Sequence, residues 1–269
     1  MSRSGGSRAH HPDSTGEGPT RRPMALVTGA SGGVGGAVVR RLADDGFRVL
    51  ATGRSEERLE RLRREPSAVS EGRVETVAAD LCRADGRQRL YASLRERSRG
   101  LDVLVLSHGV FARGLGDSSD EEALQRIIDT NFTSRALIFT ELLPLLVRRR
   151  GHVFEVSSTA ARGVRPDVPW YSASMAGSLS FFRNVHGADE VKNAVAVCSV
   201  VLGRTATPMQ EEVMRLESRP FRPEELLSPE AVAAFVAARL AAPAEAGRTA
   251  EVVLLPPGRV AGADDGGGS

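Results

Sequence analysis

The chain reads as an α/β protein: a single doubly wound domain, with a parallel sheet covered by helices on both faces. Three observations predict this. Short apolar runs alternate with helical patterns almost throughout, as strand–crossover–strand units require. The first of these runs passes directly into a glycine-rich turn, Thr28 to Gly36. And 269 residues of ordinary charged and apolar content suffice to bury one sizeable core.

Each element follows from its local pattern. Ala25–Val27 is the first strand and Val34–Asp44 the first helix; Arg48–Ala51 and Glu56–Arg64 repeat the pair. Val74–Ala78 and Val103–Leu106 are strands, with a polar helix around Arg87–Arg97 between them. Glu121–Val147 is a long helical pattern, expected to bend or end near Pro144 because proline removes a backbone donor. Val153–Val156 is a strand, followed by a helix from Ser172 to about Val185 that Tyr171 opens. Val195–Val201, Pro229–Leu240 and Glu251–Leu254 complete the set as strand, helix and strand. No internal repeat goes beyond this alternation.

Residues 1–22 are rich in Gly, Ser, Arg and Pro without apolar periodicity, and are expected to be disordered. Met24, where the first strand begins, is a candidate start. The folded domain is expected over 23–258 and a flexible tail over 259–269. No apolar h-region follows the basic residues of the arm, and no run is long enough to span a bilayer. With a formal net charge of +2, nothing electrostatic supports a nucleic-acid partner. Cys82 and Cys198 are too few and too far apart for a zinc site or disulfide framework, and read as reduced thiols of a cytoplasmic protein. The basic residues are nearly all arginine; Lys192 is the single lysine.

The turn Thr28-Gly29-Ala30-Ser31-Gly32-Gly33-Val34-Gly35-Gly36 joins the first strand to the first helix. Glycines there permit positive φ and close backbone approach, and the open N–H groups of the helix start can hold a pyrophosphate. A Rossmann-type dinucleotide site is the expectation. Arg54, just after the second strand, stands where an acidic residue would select NAD, and so favours a 2′-phosphate and NADP(H).

At this point the chain resembles the short-chain dehydrogenase/reductase family over about Met24 to Leu255. Thr28, Gly29, Gly33 and Gly35 fit the family's Thr-Gly-x-x-x-Gly-x-Gly, beside Ser31 and Val34. Asp80-Leu81 match the pair that contacts adenine, and Asn131 matches the family's structural and catalytic asparagine. Ser158 lies thirteen positions before Tyr171, the usual serine–tyrosine spacing. Gly203 to Met209 resembles the segment bordering the nicotinamide, with Thr207 as its threonine. The resemblance implies a substrate lid over 204–227, and a homodimer or homotetramer.

Three departures matter. The fourth strand ends Leu106-Ser107-His108-Gly109, where the family has Asn-Asn-Ala-Gly and only Gly109 survives. Leu202 replaces a proline. Met175, one helical turn after Tyr171, replaces the lysine of Tyr-x-x-x-Lys. In the family the serine holds the substrate oxygen, the tyrosine passes a proton, and the lysine binds the nicotinamide ribose and lowers the tyrosine pKa. Without a cation, tyrosine near pH 7 is only about 0.1% phenolate: a poor base, but a competent acid toward a forming alkoxide. Lys192 is about 20–25 Å along the chain from Met175 and cannot substitute; Arg162 or Arg204 folding in could supply charge. His108 is either a proton-handling group or a residue packed at a strand end.

The expectation is therefore NADP(H)-dependent reduction of a carbonyl on a small apolar substrate, the apolar character being suggested by Met209, Met214, Leu216 and Phe221 in the lid. Restoring lysine at 175 should speed turnover if the site is otherwise intact. The alternative is a family member that has left redox chemistry: a nucleotide-binding regulator or partner subunit, or a lyase or isomerase using Tyr171 or His108.

Overall fold

The structure is a computed structural model, and it describes residues 21–64, 72–115, 120–242 and 251–256. Most of the expected N-terminal arm and the whole expected tail lie outside the described residues.

Seven parallel strands form one sheet: β1 (Met24–Thr28), β2 (Arg48–Gly53), β3 (Val74–Ala78), β4 (Val103–Leu106), β5 (His152–Ser158), β6 (Ala196–Leu202) and β7 (Glu251–Leu254), in the order β3-β2-β1-β4-β5-β6-β7. The helices are α1 (Gly33–Asp44), α2 (Glu56–Arg64), α3 (Ala84–Arg97), α4 (Glu121–Ile128), α5 (Ser134–Val147), α6 (Pro169–Gly187), the single turn α7 (Asp189–Lys192), α8 (Pro208–Leu216) and α9 (Pro229–Ala241).

The period-2 geometry of each strand divides its side chains between two cores. Ala25, Val27, Val49, Ala51, Val103, Val105, Phe154 and Val200 face α1 and α9. Met24, Leu26, Leu50, Leu104, Leu106, Val153 and Val197 face the opposite layer with Leu90, Leu94, Leu142 and Phe182. The strand order reverses between β1, which continues to β2, and β4, which continues to β5. A crevice for a ligand opens at the C-terminal ends of the strands at such a switch point.

One expectation about the helices is corrected. The pattern over Glu121–Val147 is not one helix: a π-helical turn, Asp129–Thr133, separates α4 from α5. The wider turn lets Asn131 and Ser134 point inward together, and such turns concentrate at functional sites. Pro144 lies inside α5, three residues before its end, and does not by itself terminate the helix. It runs to Val147, because Leu142 and Leu146, both fully buried, hold it against the sheet and outweigh one lost backbone bond. The lid, for which no helix is expected from sequence, contains α8, with Thr207 as its N-cap and Pro208 in the first turn. Among the described residues no helix is long and apolar enough to cross a membrane.

Candidate active site

A cleft of about 430 Å³ opens at the switch point. The glycine turn forms its floor. Gly29 has φ +67°, and a Cβ there would stand 2.6 Å from the His108 nitrogen and 2.7 Å from its Cα. A Cβ on Gly35 would collide with the Gly29 carbonyl, and one on Gly33 would meet Thr207 Cγ2 at 2.7 Å. Only hydrogen fits at these positions. The N-cap of α1 is Gly32, with no side chain to cap the first turn, so its N–H groups stay open to an anion.

The end of β4 is locked to β1. The Ser107 hydroxyl donates to the Thr28 carbonyl at 2.6 Å, and the Ser107 N–H donates to Thr28 Oγ1 at 3.2 Å. His108 is buried between Thr28 Oγ1, 2.7 Å from Nδ1, and Ser134 Oγ, 2.9 Å from Nε2. The Thr28 hydroxyl also lies 3.2 Å from the Val105 carbonyl and the Ser134 hydroxyl 3.0 Å from the Thr130 carbonyl, so a neutral imidazole, with one N–H, donates to one of these hydroxyls and accepts from the other. Burial, then the charges of Arg135 and Arg54, hold this imidazole well below the usual histidine range. It is a neutral strut between two strands and α5, and of the two roles considered for it the packed one fits.

Asn131 is fully buried and committed. Its Oδ1 accepts from the Val110 N–H at 2.8 Å, and Nδ2 donates to the Val110 carbonyl and to Ser174 Oγ, each at 2.9 Å. Ser174 in turn donates to the Tyr171 carbonyl at 2.8 Å. Asn131 therefore fixes the backbone on both sides of the cleft without lining it.

Tyr171 opens into the cleft from the first turn of α6, its ring 5.2 Å from that of Phe111. Burial raises its pKa above the usual phenol value; a hydrogen bond with the Ser158 side chain and the charge of Arg135 pull it back, while Glu155 adds to the rise. Met175, one turn on, is buried at the cleft wall and carries no charge.

A cation nonetheless stands in the wall. Arg135 on α5 has a side chain 3% exposed, and Glu155 on β5 is sealed completely. Nη1 donates to Glu155 Oε1 at 3.0 Å and to the Val156 carbonyl at 2.8 Å; Nε donates to the His108 carbonyl at 3.0 Å, and Nη2 reaches the same oxygen. Ser178 on α6 donates to Glu155 Oε1 at 2.8 Å. Burial pushes the Glu155 carboxyl up against the pull of Arg135, Ser178 and Ser199. Burial lowers the Arg135 pKa too, but a guanidinium starts so high that it stays charged.

The arginines suspected from sequence do not fill this role. Arg204 lines the cleft but is ion-paired with Glu217 at 2.9 Å, and Arg162 pairs with Glu251 at 3.4 Å outside the cleft lining. Lys192 is exposed and bound to Asp189 at 2.5 Å.

At the far end Arg54 and Arg58 line the cleft beside Ser31, Asp80 and Leu81, and neither guanidinium has an ion-pair partner among the described residues. At the other end the lid closes at its base, where Leu227 N–H donates to the Arg204 carbonyl at 3.0 Å and Ala206 N–H to the Leu227 carbonyl at 2.8 Å. Of the four apolar lid residues noted in the sequence only Met209 faces the cleft; Met214 is buried elsewhere and Leu216 points to solvent. Val213 joins Met209, but Arg204, Gln210 and Glu217 are there too, so this end is mixed rather than apolar.

Of the site residues expected from sequence, Gly29, Ser31, Gly33, Val34, Gly35, Arg54, Asp80, Leu81, Gly109, Ser158, Tyr171 and Thr207 all line this one cleft, while Thr28 and Asn131 brace it from behind. Arg58, Phe111 and Arg135 in the cleft lining, and Glu155 behind it, carry no motif in the sequence. A signal existed for Glu155: a charge inside β5, a strand covered on both faces, demands a partner.

A sequence profile described as short chain dehydrogenase matches residues 23–217. An uncharacterised oxidoreductase of Staphylococcus saprophyticus is 29% identical over 187 residues, 69% of this chain and 80% of that one. Human mitochondrial dehydrogenase/reductase SDR family member 2 is 34% identical over 168 residues, 60% of this chain and 58% of its own length. Among solved structures, a single-residue variant of actinorhodin polyketide ketoreductase with NADPH superposes with a TM-score of 0.74 at 27% identity, covering 87% of this chain and 95% of that one.

Proposed function

The chain belongs to the short-chain dehydrogenase family, and from that premise we propose that it is an NADP(H)-dependent oxidoreductase working chiefly in the direction of carbonyl reduction. The observation that carries this is that Ser158 and Tyr171 line the same cleft whose floor is the glycine turn.

The residues present fit a dinucleotide phosphate. The glycine cradle has no room for a Cβ and the α1 N-terminus is open. Ser157, also at the cleft, has a buried hydroxyl with no partner among the described residues. Arg54 and Arg58 supply two guanidinium groups where a 2′-phosphate would lie. When bound, NADPH supplies the hydride and leaves as NADP+.

Ser158 orients the substrate carbonyl. Tyr171 gives its phenolic proton to the carbonyl oxygen as that oxygen gains negative charge, and is left as phenolate. Because its pKa is raised, Tyr171 rests in the protonated, donating form. The substrate is a small molecule that meets apolar Phe111, Val168 and Val213 and, at the lid, polar groups. A cytoplasmic homodimer or homotetramer is part of the reading; exposed Leu137 on α5 is apolar surface that such an assembly would cover.

The test is NADPH consumption with a panel of aldehydes and ketones. Turnover abolished by Tyr171→Phe supports the proposal. NADPH binding without turnover would favour the second reading, a nucleotide-binding protein without redox activity, for which uncharged Met175 at the cleft wall speaks.

A further inference from the structure

We propose that Arg135, braced by Glu155, is the fixed cation of this site: it stabilises negative charge on the Tyr171 oxygen and offers one N–H to the cleft, doing from α5 the electrostatic work that a lysine at 175 would do from α6. The inference rests on the reductase reading for its catalytic meaning, but its electrostatic content can be measured without turnover.

Four of the five guanidinium N–H groups are accounted for by the carbonyls of His108 and Val156 and by Glu155. The fifth, on Nη2, has no protein acceptor among the described residues. Nη2 is the atom that a Cβ on Gly109 would approach at 3.2 Å, so it lies against backbone lining the cleft. Arg135 itself lines the cleft with Tyr171 and Met175. Its charge acts through protein rather than bulk water, where Coulomb terms are weakly damped.

A lone buried guanidinium would be costly, and Glu155 is its counterion. Ser178, three residues after Met175 on α6, holds that counterion at 2.8 Å. The helix that lacks the expected lysine thus supports the pair. Arg135 favours the phenolate and Glu155 opposes it; of the two, Arg135 lines the cleft with Tyr171 while Glu155 lies behind it, so neutralising the pair removes the charge that faces the phenol. Arginine differs from lysine in not titrating. When the Tyr171 O–H bond breaks and the substrate O–H bond forms, Arg135 stabilises the phenolate but passes it no proton, so Tyr171 recovers its proton from water.

The chain has two tyrosines, so Tyr91→Phe leaves Tyr171 as the sole phenol for an absorbance titration. In that background Arg135→Gln and Glu155→Gln are introduced together, so that neither charge is stranded, with thermal melts confirming the fold. The Tyr171 midpoint should move upward, and adding Met175→Lys should bring it back down. With NADPH and a carbonyl substrate, kcat should fall about tenfold or more with a smaller change in KM, and Arg135→Lys alone should retain most of it. If the Gln pair does not fold, Arg135→Met with Glu155→Leu fills the same space with apolar atoms and is titrated instead. A Tyr171 midpoint that stays put or falls on neutralising the pair overturns the inference. A parent protein that consumes no NADPH overturns the reductase reading and leaves the titration result standing.

Discussion

Arg135 Nη1 meets Glu155 Oε1 at 3.0 Å, with neither side chain more than 3% exposed. The two are twenty positions apart and join α5 to β5 directly beneath the cleft. Ion pairs this deep stabilise little by themselves; their weight shows when one partner is removed.

Glu155→Ala should therefore destabilise the protein by about 3–5 kcal/mol, because it leaves the guanidinium uncompensated. Neutralising both partners together should cost much less. Urea unfolding of the two single variants and the double variant measures this as a coupling energy.

The raised Tyr171 pKa fixes the sign of the pH dependence. Reduction uses the protonated phenol, which prevails at neutral pH, so its rate should be flat there and fall only as the phenol titrates at high pH. Oxidation of the product alcohol uses the phenolate and should climb about tenfold per pH unit below that point. His108, held neutral, should add no break near pH 6–7. Initial rates in both directions across pH check this, and oxidation matching reduction at neutral pH would contradict it.

Arg54 and Arg58 are expected to read the 2′-phosphate. Each changed to Ala should weaken NADPH about tenfold to a hundredfold, as the loss of a charge-assisted hydrogen bond does, with NADH little affected. Fluorescence titration of the two cofactors measures the split, which should narrow as salt is added.

Gly35→Ala should abolish cofactor binding and lower the melting temperature, since its Cβ has no room beside the Gly29 carbonyl. Gly46→Ala is a contrast: φ is also positive, at +96°, but nothing lies within 4 Å, so about 1–3 kcal/mol of backbone strain is the whole expected effect. Calorimetry and NADPH binding separate the two.

Asn131→Ala should act through structure. It strands the Val110 N–H and frees Ser174, at a cost of about 1–3 kcal/mol, and should raise KM through a displaced cleft wall. A loss of kcat with unchanged stability would instead place Asn131 in the proton path.

What the sequence made legible was what is local. The alternation of strands and helices and the glycine turn depend on neighbours a few residues apart, and the thirteen-residue Ser158–Tyr171 spacing was legible by resemblance. The π turn at Asp129–Thr133 was not legible, because the apolar pattern continues through it and only the packing of Asn131 and Ser134 shows the extra residue. The lid helix was readable in principle from Thr207-Pro208, an N-cap followed by proline. Arg135 and Glu155 could not be joined by pattern alone: a charge in α5 looks like a solvated face until the sheet brings β5 beneath it. Met175, read by itself, implied a site without a cation, yet the structure puts one on the neighbouring helix.

The exposed ion pair of Lys192 with Asp189 has a practical corollary. With a single ε-amino group in the chain, on the one-turn helix before β6 and outside the cleft lining, acylating or reductively alkylating reagents should spare the reactive centre. The same group offers a handle for immobilising the protein on a support with its mouth unobstructed. Dicarbonyl reagents, which seek guanidines, are the ones that should inactivate it.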